Sequence, residues 1–274
     1  MAQPTIFGQV ICLSDIQVTF TDLQTGEETY LDCVQKSYAM DKNIIAGFAG
    51  NVLGGFAMLS SLSKAIKANK KDPNELFEPE FLINEWSKIA KSNFARLIPE
   101  AKDGDVHILI GGISHTVDVG IPGMGKPTVA ILKSPDFVPE YTEIGKWASI
   151  GSGASEQKYR DLLDKATGDP YHPLMQHGEE MYSQSVSIYL SYEIQKMEPT
   201  PGISQHYHLG RLTRASATQG TSDHKEYPAT GEEVEIKMPN VAHSLDEFLE
   251  LIKTIGKAKH KAVAGNKIYF RSNS

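Results

Sequence analysis

Two cysteines in 274 residues, Cys12 and Cys33, are too few for a disulfide framework and lack the clustering of a zinc site, so both are read as buried free thiols. No stretch approaches the roughly 20 consecutive apolar residues that a membrane-spanning helix needs. The opening MAQPTIFGQ lacks the charged and apolar regions of a secretory signal. The expectation is a cytoplasmic protein with no membrane partner. Positive charge is also in short supply, 27 Lys and Arg against 34 Asp and Glu giving a net charge of -7. The one basic run, KAIKANKK at 64–71, falls at the end of a predicted helix, where it suits the dipole. Nucleic acid is therefore not an expected partner, and nothing in the sequence asks for a cofactor.

What is present is a chain that is 40% hydrophobic, enough for one sizeable core. VICLSDIQVTF (10–20) alternates and is rich in β-formers, TYLDCVQKSYAM (29–40) follows across a polar turn, and NIIAGFAG (43–50) is a short apolar run ending in glycine. These predict neighbouring strands. The spacing of Val52, Phe56, Leu59 and Leu62 predicts a helix, and Leu82, Trp86, Ile89, Ala90 and Leu97 predict a second, stopped by Pro99. Strands are predicted again at 106–113, 127–132 and 147–153, then a helix from Ser155 and a longer one over about 179–197. ISQHYHLGRLT (203–213) and EEVEIKM (232–238) read as strands. Ser244 and Glu247 form a capping box for a final amphipathic helix closed by Gly256.

The order of strands, two helices, strands, two helices, strands favours segregated layers, an α+β arrangement of two packed sheets with helices outside. The expected division is a main domain over 1–216, a polar linker over 217–231 and a C-terminal extension over 232–274, whose helix docks on its own core or on a neighbour.

SDIQVTF followed by VQKSYAMDKNIIAGFAG resembles the opening of β-type proteasome subunits, especially the bacterial two-component protease, and ASIGSGAS (148–155) resembles that family's second signature. The resemblance spans roughly residues 8–210 and is strongest over 15–50 and 148–153. It implies the fold of the N-terminal-nucleophile hydrolases, a four-layer αββα sandwich. In that family an N-terminal threonine attacks a peptide carbonyl with its own amine as base, while a lysine and an aspartate tune the chemistry. The motifs carry these roles onto Lys36 and Asp15, an oxyanion hole onto the backbone N–H groups of Ala49 and Gly50, and a serine hydrogen-bonding near the amine onto Ser152. A structural ion pair is the alternative account of Asp15 and Lys36, and a plain helix start that of Ser152.

The pattern breaks where the chemistry begins. A turn at Gly8 places Met1 or Ala2 opposite Asp15, and Thr5 falls too close to the turn to reach it. Trimming of Met1 leaves Ala2, which offers an amine and no nucleophile. EPTPG matches the family's acid-x-x-serine-glycine segment with Glu198 as the acid and Gly202 as the glycine, but Pro201 stands at the serine. Cys12 and Cys33 are out of phase with Asp15 and Lys36 on their strands. The α-type proteasome subunits also lack the threonine, but they carry a helical extension that the seven residues before Gly8 are too few to form.

Two other motifs are weaker. GIPGMGK (120–126) has phosphate-loop spacing, but Pro127 replaces the required hydroxyl residue and a strand follows, so a hairpin is predicted. His206 and His208 share a strand face without a third ligand nearby, and no metal is expected. The resemblance implies a homo-oligomeric ring and a peptide or protein substrate; no residue identifies an ATPase partner. Two functions follow, a noncatalytic ring or scaffold subunit, or an active peptidase or amidase with an N-terminal or cysteine nucleophile.

Overall fold

Alternation along the strands decides the layering. The computed structural model describes residues 1–22, 25–70, 72, 74–118, 123–168, 186, 189–190, 192–214, 216–226, 234–260 and 268–271. Strand β1 (Ala2–Pro4) turns back through Gly8, at φ 68°, onto β2 (Val10–Asp15). The strand β10 (Tyr207–Leu212) pairs with the other edge of β2, and β11 (Ala217–Thr221) with β10, giving a four-stranded antiparallel sheet in the order β1-β2-β10-β11. A second antiparallel sheet runs β5 (Ser37–Asp41), β6 (Ile44–Gly50), β7 (Val106–Asp118), β8 (Gly125–Lys133), β9 (Glu140–Tyr141). Strands β3 (Gln17–Asp22), β4 (Glu28–Asp32) and β14 (Ile268–Arg271) make a third sheet, and β12 (His224–Glu226) pairs with β13 (Val234–Ile236).

Successive side chains on β6 point to opposite faces. Ile44, Ala46 and Phe48 join Val106, Ile108 and Ile110 of β7 in a core with Phe56, Leu59 and Leu62 of α1 (Val52–Asn69) and Ile83 and Trp86 of α2 (Pro79–Ala95). Ile45, from the opposite face, packs with Val10, Cys12 and Leu212 in a second core shared by the two large sheets. Ile11 and Leu13 then turn the far face of β2 toward Tyr159, Leu162 and Leu163 of α4 (Gln157–Gly168) and toward Val186, Leu190 and Ile194. Between α2 and β7 lies one short helix, α3 (Pro99–Lys102). The protein is thus a mixed α and β structure with several antiparallel sheets.

Several expected boundaries shift. The single strand predicted over 29–40 is broken between Asp32 and Ser37, because Cys33 and Val34 both donate their N–H groups to Ile16 O, at 3.0 and 3.1 Å, and Gln35 N donates to Ala242 O at 3.0 Å. The chain leaves the third sheet there and enters the second. The strand predicted at 147–153 reduces to a bridge from Ala148 to Ala2, followed by a 3-10 turn at Ser152–Ala154. Of the helix predicted over 179–197, residues 186, 189–190 and 192–195 are helical and the remainder up to 191 lies outside the described residues. The polar segment 217–231 opens as β11 and β12, and 227–231 lies outside the described residues.

The C-terminal segment docks on its own core. Helix α5 (Leu245–His260) runs through Gly256 instead of stopping there. Its start is capped by Ser244, whose Oγ accepts from Glu247 N at 3.2 Å, while the Glu247 carboxylate accepts from His243 N at 2.7 Å, one residue earlier than the expected reciprocal bond. Phe248 is fully buried, with its ring 6.5 Å from Phe20 and 6.3 Å from Phe56. Among the described residues no helix is long and apolar enough to cross a membrane.

Candidate active site

The end of β2, the approach to β5 and the centre of β6 meet in a small cleft of about 50 Å³, partly open to solvent. Asp15 closes β2 and Lys36 stands just before β5. Lys36 Nζ lies 2.9 Å from Asp15 Oδ1 and donates to Gln17 O at 2.5 Å, while Asp15 Oδ1 also accepts from Gln17 N at 2.9 Å. The lysine is buried and its partner is only partly covered, their side chains being 7% and 28% exposed.

Met1 lies in the same cleft, but the hairpin register differs from expectation. Thr5 N donates to Gln9 O and Thr5 Oγ1 accepts from Gln9 N, at 2.8 and 3.1 Å, so the turn occupies Thr5 to Gln9. That turn places Ala2 opposite Cys12 and not Asp15. Met1 exchanges both backbone bonds with Leu13, its amine donating to Leu13 O at 2.9 Å. Burial lowers the pKa of that amine, with Cys12 and Asp15 opposing and Lys36 adding to the shift. Ala2 itself is buried between the sheets, its N–H donating to Ala148 O at 2.8 Å.

Ala49 lines the cleft and Gly50 does not. Gly50, at φ 92°, turns the chain from β6 toward α1 with its Cα face so close to Asp105 that an added Cβ lies 1.9 Å from that residue's carbonyl oxygen. Asn51 then caps α1 by accepting from Gly54 N at 2.8 Å. Ser152 sits in the 3-10 turn, its carbonyl accepting from Ser155, and the cleft is lined by the neighbouring Gly153. The loop is held against β6, since a Cβ on Gly151 lies 3.0 Å from that of Ala49. Glu198 is exposed, and its carbonyl accepts from Lys158 Nζ at 3.0 Å. Gly202, at φ 80°, completes a tight turn with Pro201 in which Ile203 N donates to Thr200 O at 3.0 Å. The structure therefore gathers Asp15, Lys36 and Ala49, with Ser152 adjoining, and leaves Glu198, Gly50 and Ala2 outside.

Five polar side chains escaped the sequence reading. Gln17 Nε2 donates to Asp32 Oδ1 at 3.0 Å and Ser204 Oγ to Asp32 Oδ2 at 2.7 Å, extending the polar chain behind Lys36. Tyr159 and Tyr207 also line the cleft. Only the flanking histidines of the HYH triplet drew attention in the sequence, and the pairing of Tyr207 with Asp15 across β10 and β2 has no local signal.

Both thiols are buried. Cys12 reaches the cleft despite its phase on β2, because the cleft extends between the two large sheets, the face that Cys12 shares with Val10. Burial raises its pKa, and raises that of Cys33 to about 12, so each is a protonated thiol at neutral pH. GIPGMGK leads into β8, whose antiparallel pairing with β7 fits a hairpin; residues 120–122 of it lie outside the described residues.

Among the described residues no three His, Cys, Asp or Glu side chains gather as a metal set. His208 instead faces His243 edge to face, centroids 6.5 Å apart, where burial and then His243 lower its pKa to about 4. The unfolded imidazole titrates near 6.5. Between these values the unfolded chain binds more protons, so this contribution is complete above about pH 6.5 and is lost as pH falls toward 4. Urea unfolding from pH 7.5 to 4 is expected to lose on the order of 2 kcal/mol in the wild type that His208→Gln does not lose.

No family model matches this chain, and no curated protein matches it. The site must be read from its own chemistry: a mutually neutralised ion pair, apolar walls from Leu13, Phe48, Leu109 and Ile150, hydroxyls, the Cys12 thiol, and the Met1 amine, whose pKa burial lowers.

Proposed function

We propose that the chain is a noncatalytic relative of the β-type proteasome subunits, a four-layer αββα frame that binds peptide in its cleft and assembles with copies of itself into a cytoplasmic ring. The observation that carries this reading is the meeting of the Lys36–Asp15 pair and the β1–β2 hairpin in one cleft that holds no activated nucleophile among its described residues. Thr5 is consumed by the turn, Ser14 Oγ donates to Asp15 O at 3.1 Å, Ser37 is buried, and Cys12 is held protonated by burial. The three stacked cores support the layer order, and Phe81 and Ile89 on α2, with Val138 and Tyr141 nearby in sequence to β8, leave apolar surface for contact between copies.

A second reading, an amidase acting through Cys12, is favoured by that thiol's place in the cleft. Intact-mass analysis after treatment with a peptide β-lactone separates the two. An unmodified chain is expected; a stoichiometric adduct overturns the noncatalytic reading, and its mapped position names the nucleophile.

A further inference from the structure

Tyr207 is 2% exposed, enters the cleft from β10 and stands across from Asp15 in the β2–β10 register. Its hydroxyl makes no hydrogen bond, whereas the large majority of buried side-chain polar groups have a partner. Tyr159 of α4, also buried, lies beside it without closing a bond of ordinary geometry. Burial foremost, then Tyr159 and Asp15, hold the Tyr207 phenol well above its usual pKa, and burial raises that of Tyr159. Both therefore remain protonated, and Tyr207 offers an unmet O–H donor. Of the carboxylates that act on this donor, Asp15 is paired with Lys36 at 2.9 Å and Asp32 accepts from Gln17 and Ser204.

A neutral donor set among carboxylates and apolar walls selects a neutral acceptor. An incoming carboxylate brings a further negative charge toward Asp15 and loses its own hydration without gaining a free cation, since Lys36 is already paired and the Met1 amine, whose neutral form burial favours, is bound to Leu13 O. An amide carbonyl meets the same donor without that cost. We propose that Tyr207, flanked by Tyr159, is a ligand-binding residue that donates its hydroxyl hydrogen bond to the carbonyl oxygen of an uncharged amide whose aliphatic side chain packs on Leu13 and Ile203. This rests on the reading of the cleft as a peptide-binding site and adds which group is recognised and by which residue.

The test uses the full chain with two probes, N-acetyl-leucine amide and N-acetyl-leucine carboxylate, titrated by ligand-detected NMR against wild type, Tyr207→Phe and Tyr159→Phe, with the thermal midpoint of each protein measured alongside. The expected result is preference for the amide, about tenfold weaker binding of it by Tyr207→Phe, and an unchanged or higher midpoint, because the substitution removes a hydroxyl that has no partner in the free protein. Equal amide binding by wild type and Tyr207→Phe overturns the tyrosine assignment and leaves the peptide cleft standing. Preference for the carboxylate overturns the neutral-amide assignment. Binding of neither probe by wild type overturns both the assignment and the cleft reading. Were Tyr207→Phe to unfold, the hydroxyl would be structural and the assignment would fall; retention of full amide affinity in Tyr159→Phe restricts the role to Tyr207.

Discussion

Phe248→Ala is expected to lower the unfolding free energy by about 3–5 kcal/mol. The side chain is fully buried in the core that also holds Phe20, Phe56 and Val34, and its ring contacts bridge β3 and α1. Removing it opens a cavity walled by aromatic rings from different elements, which cannot collapse inward without moving the third sheet against α1. Leu245, Leu251 and Ile252 pack against the same core, so a loosened α5 also exposes them. Val34, whose neighbour Cys33 accepts from Ala242 N at 2.8 Å, ties the segment before α5 to the break that delivers Lys36 to the cleft. Urea unfolding followed by far-ultraviolet circular dichroism measures the change. A single cooperative transition moved by at least 3 kcal/mol is expected of a C-terminal segment that belongs to the main core; a loss below about 1 kcal/mol, the scale of a surface change, would show α5 to be a loosely attached extension.

The reach of the sequence ends at predictable places. The short apolar run at 43–50 and the helical spacing from Val52 to Leu62 were legible because each pattern is local, and both faces of β6 are buried, in different cores. The break at Cys33–Lys36 was not, since no glycine or proline marks it and the hydrogen bonds that stop the strand come from Ile16 and Ala242, distant in sequence. Gly256 looked like a stop because glycine favours helix ends, yet α5 continues past it. At the site, Lys36 and Asp15 were legible only through resemblance, and the structure brings them within 2.9 Å. Tyr207 and Ser204 were hidden for the opposite reason, being ordinary strand and loop residues whose meaning comes from what β2 and β4 place opposite them.

Lys36→Met is expected to cost about 3 kcal/mol, near the lower end for breaking a buried pair from one side. The partly exposed Asp15 keeps some hydration once its partner is gone, which limits the loss, but Gln17 O also forfeits its 2.5 Å bond from Lys36 Nζ. Asp15→Asn tests the reverse. It retains an oxygen to accept from Gln17 N, so the turn at Ile16 survives, and it leaves the buried ammonium without its counter-charge. If the two groups act chiefly on each other, the double variant Lys36→Met/Asp15→Asn should be less damaged than the sum of the single losses by at least about 1 kcal/mol, because it strands no charge. Urea unfolding of the four proteins at one pH and salt concentration measures that coupling. Strict additivity would show that each side chain answers to other partners, the amine of Met1 and the Gln17–Asp32–Ser204 chain foremost, and would remove the mutual neutralisation from which the cleft's preference for uncharged ligands is argued. A large coupling, with no β-lactone adduct in the wild type, would instead assign the pair to holding β2 and β5 in register beneath a binding cleft, a task that needs both charges and no nucleophile.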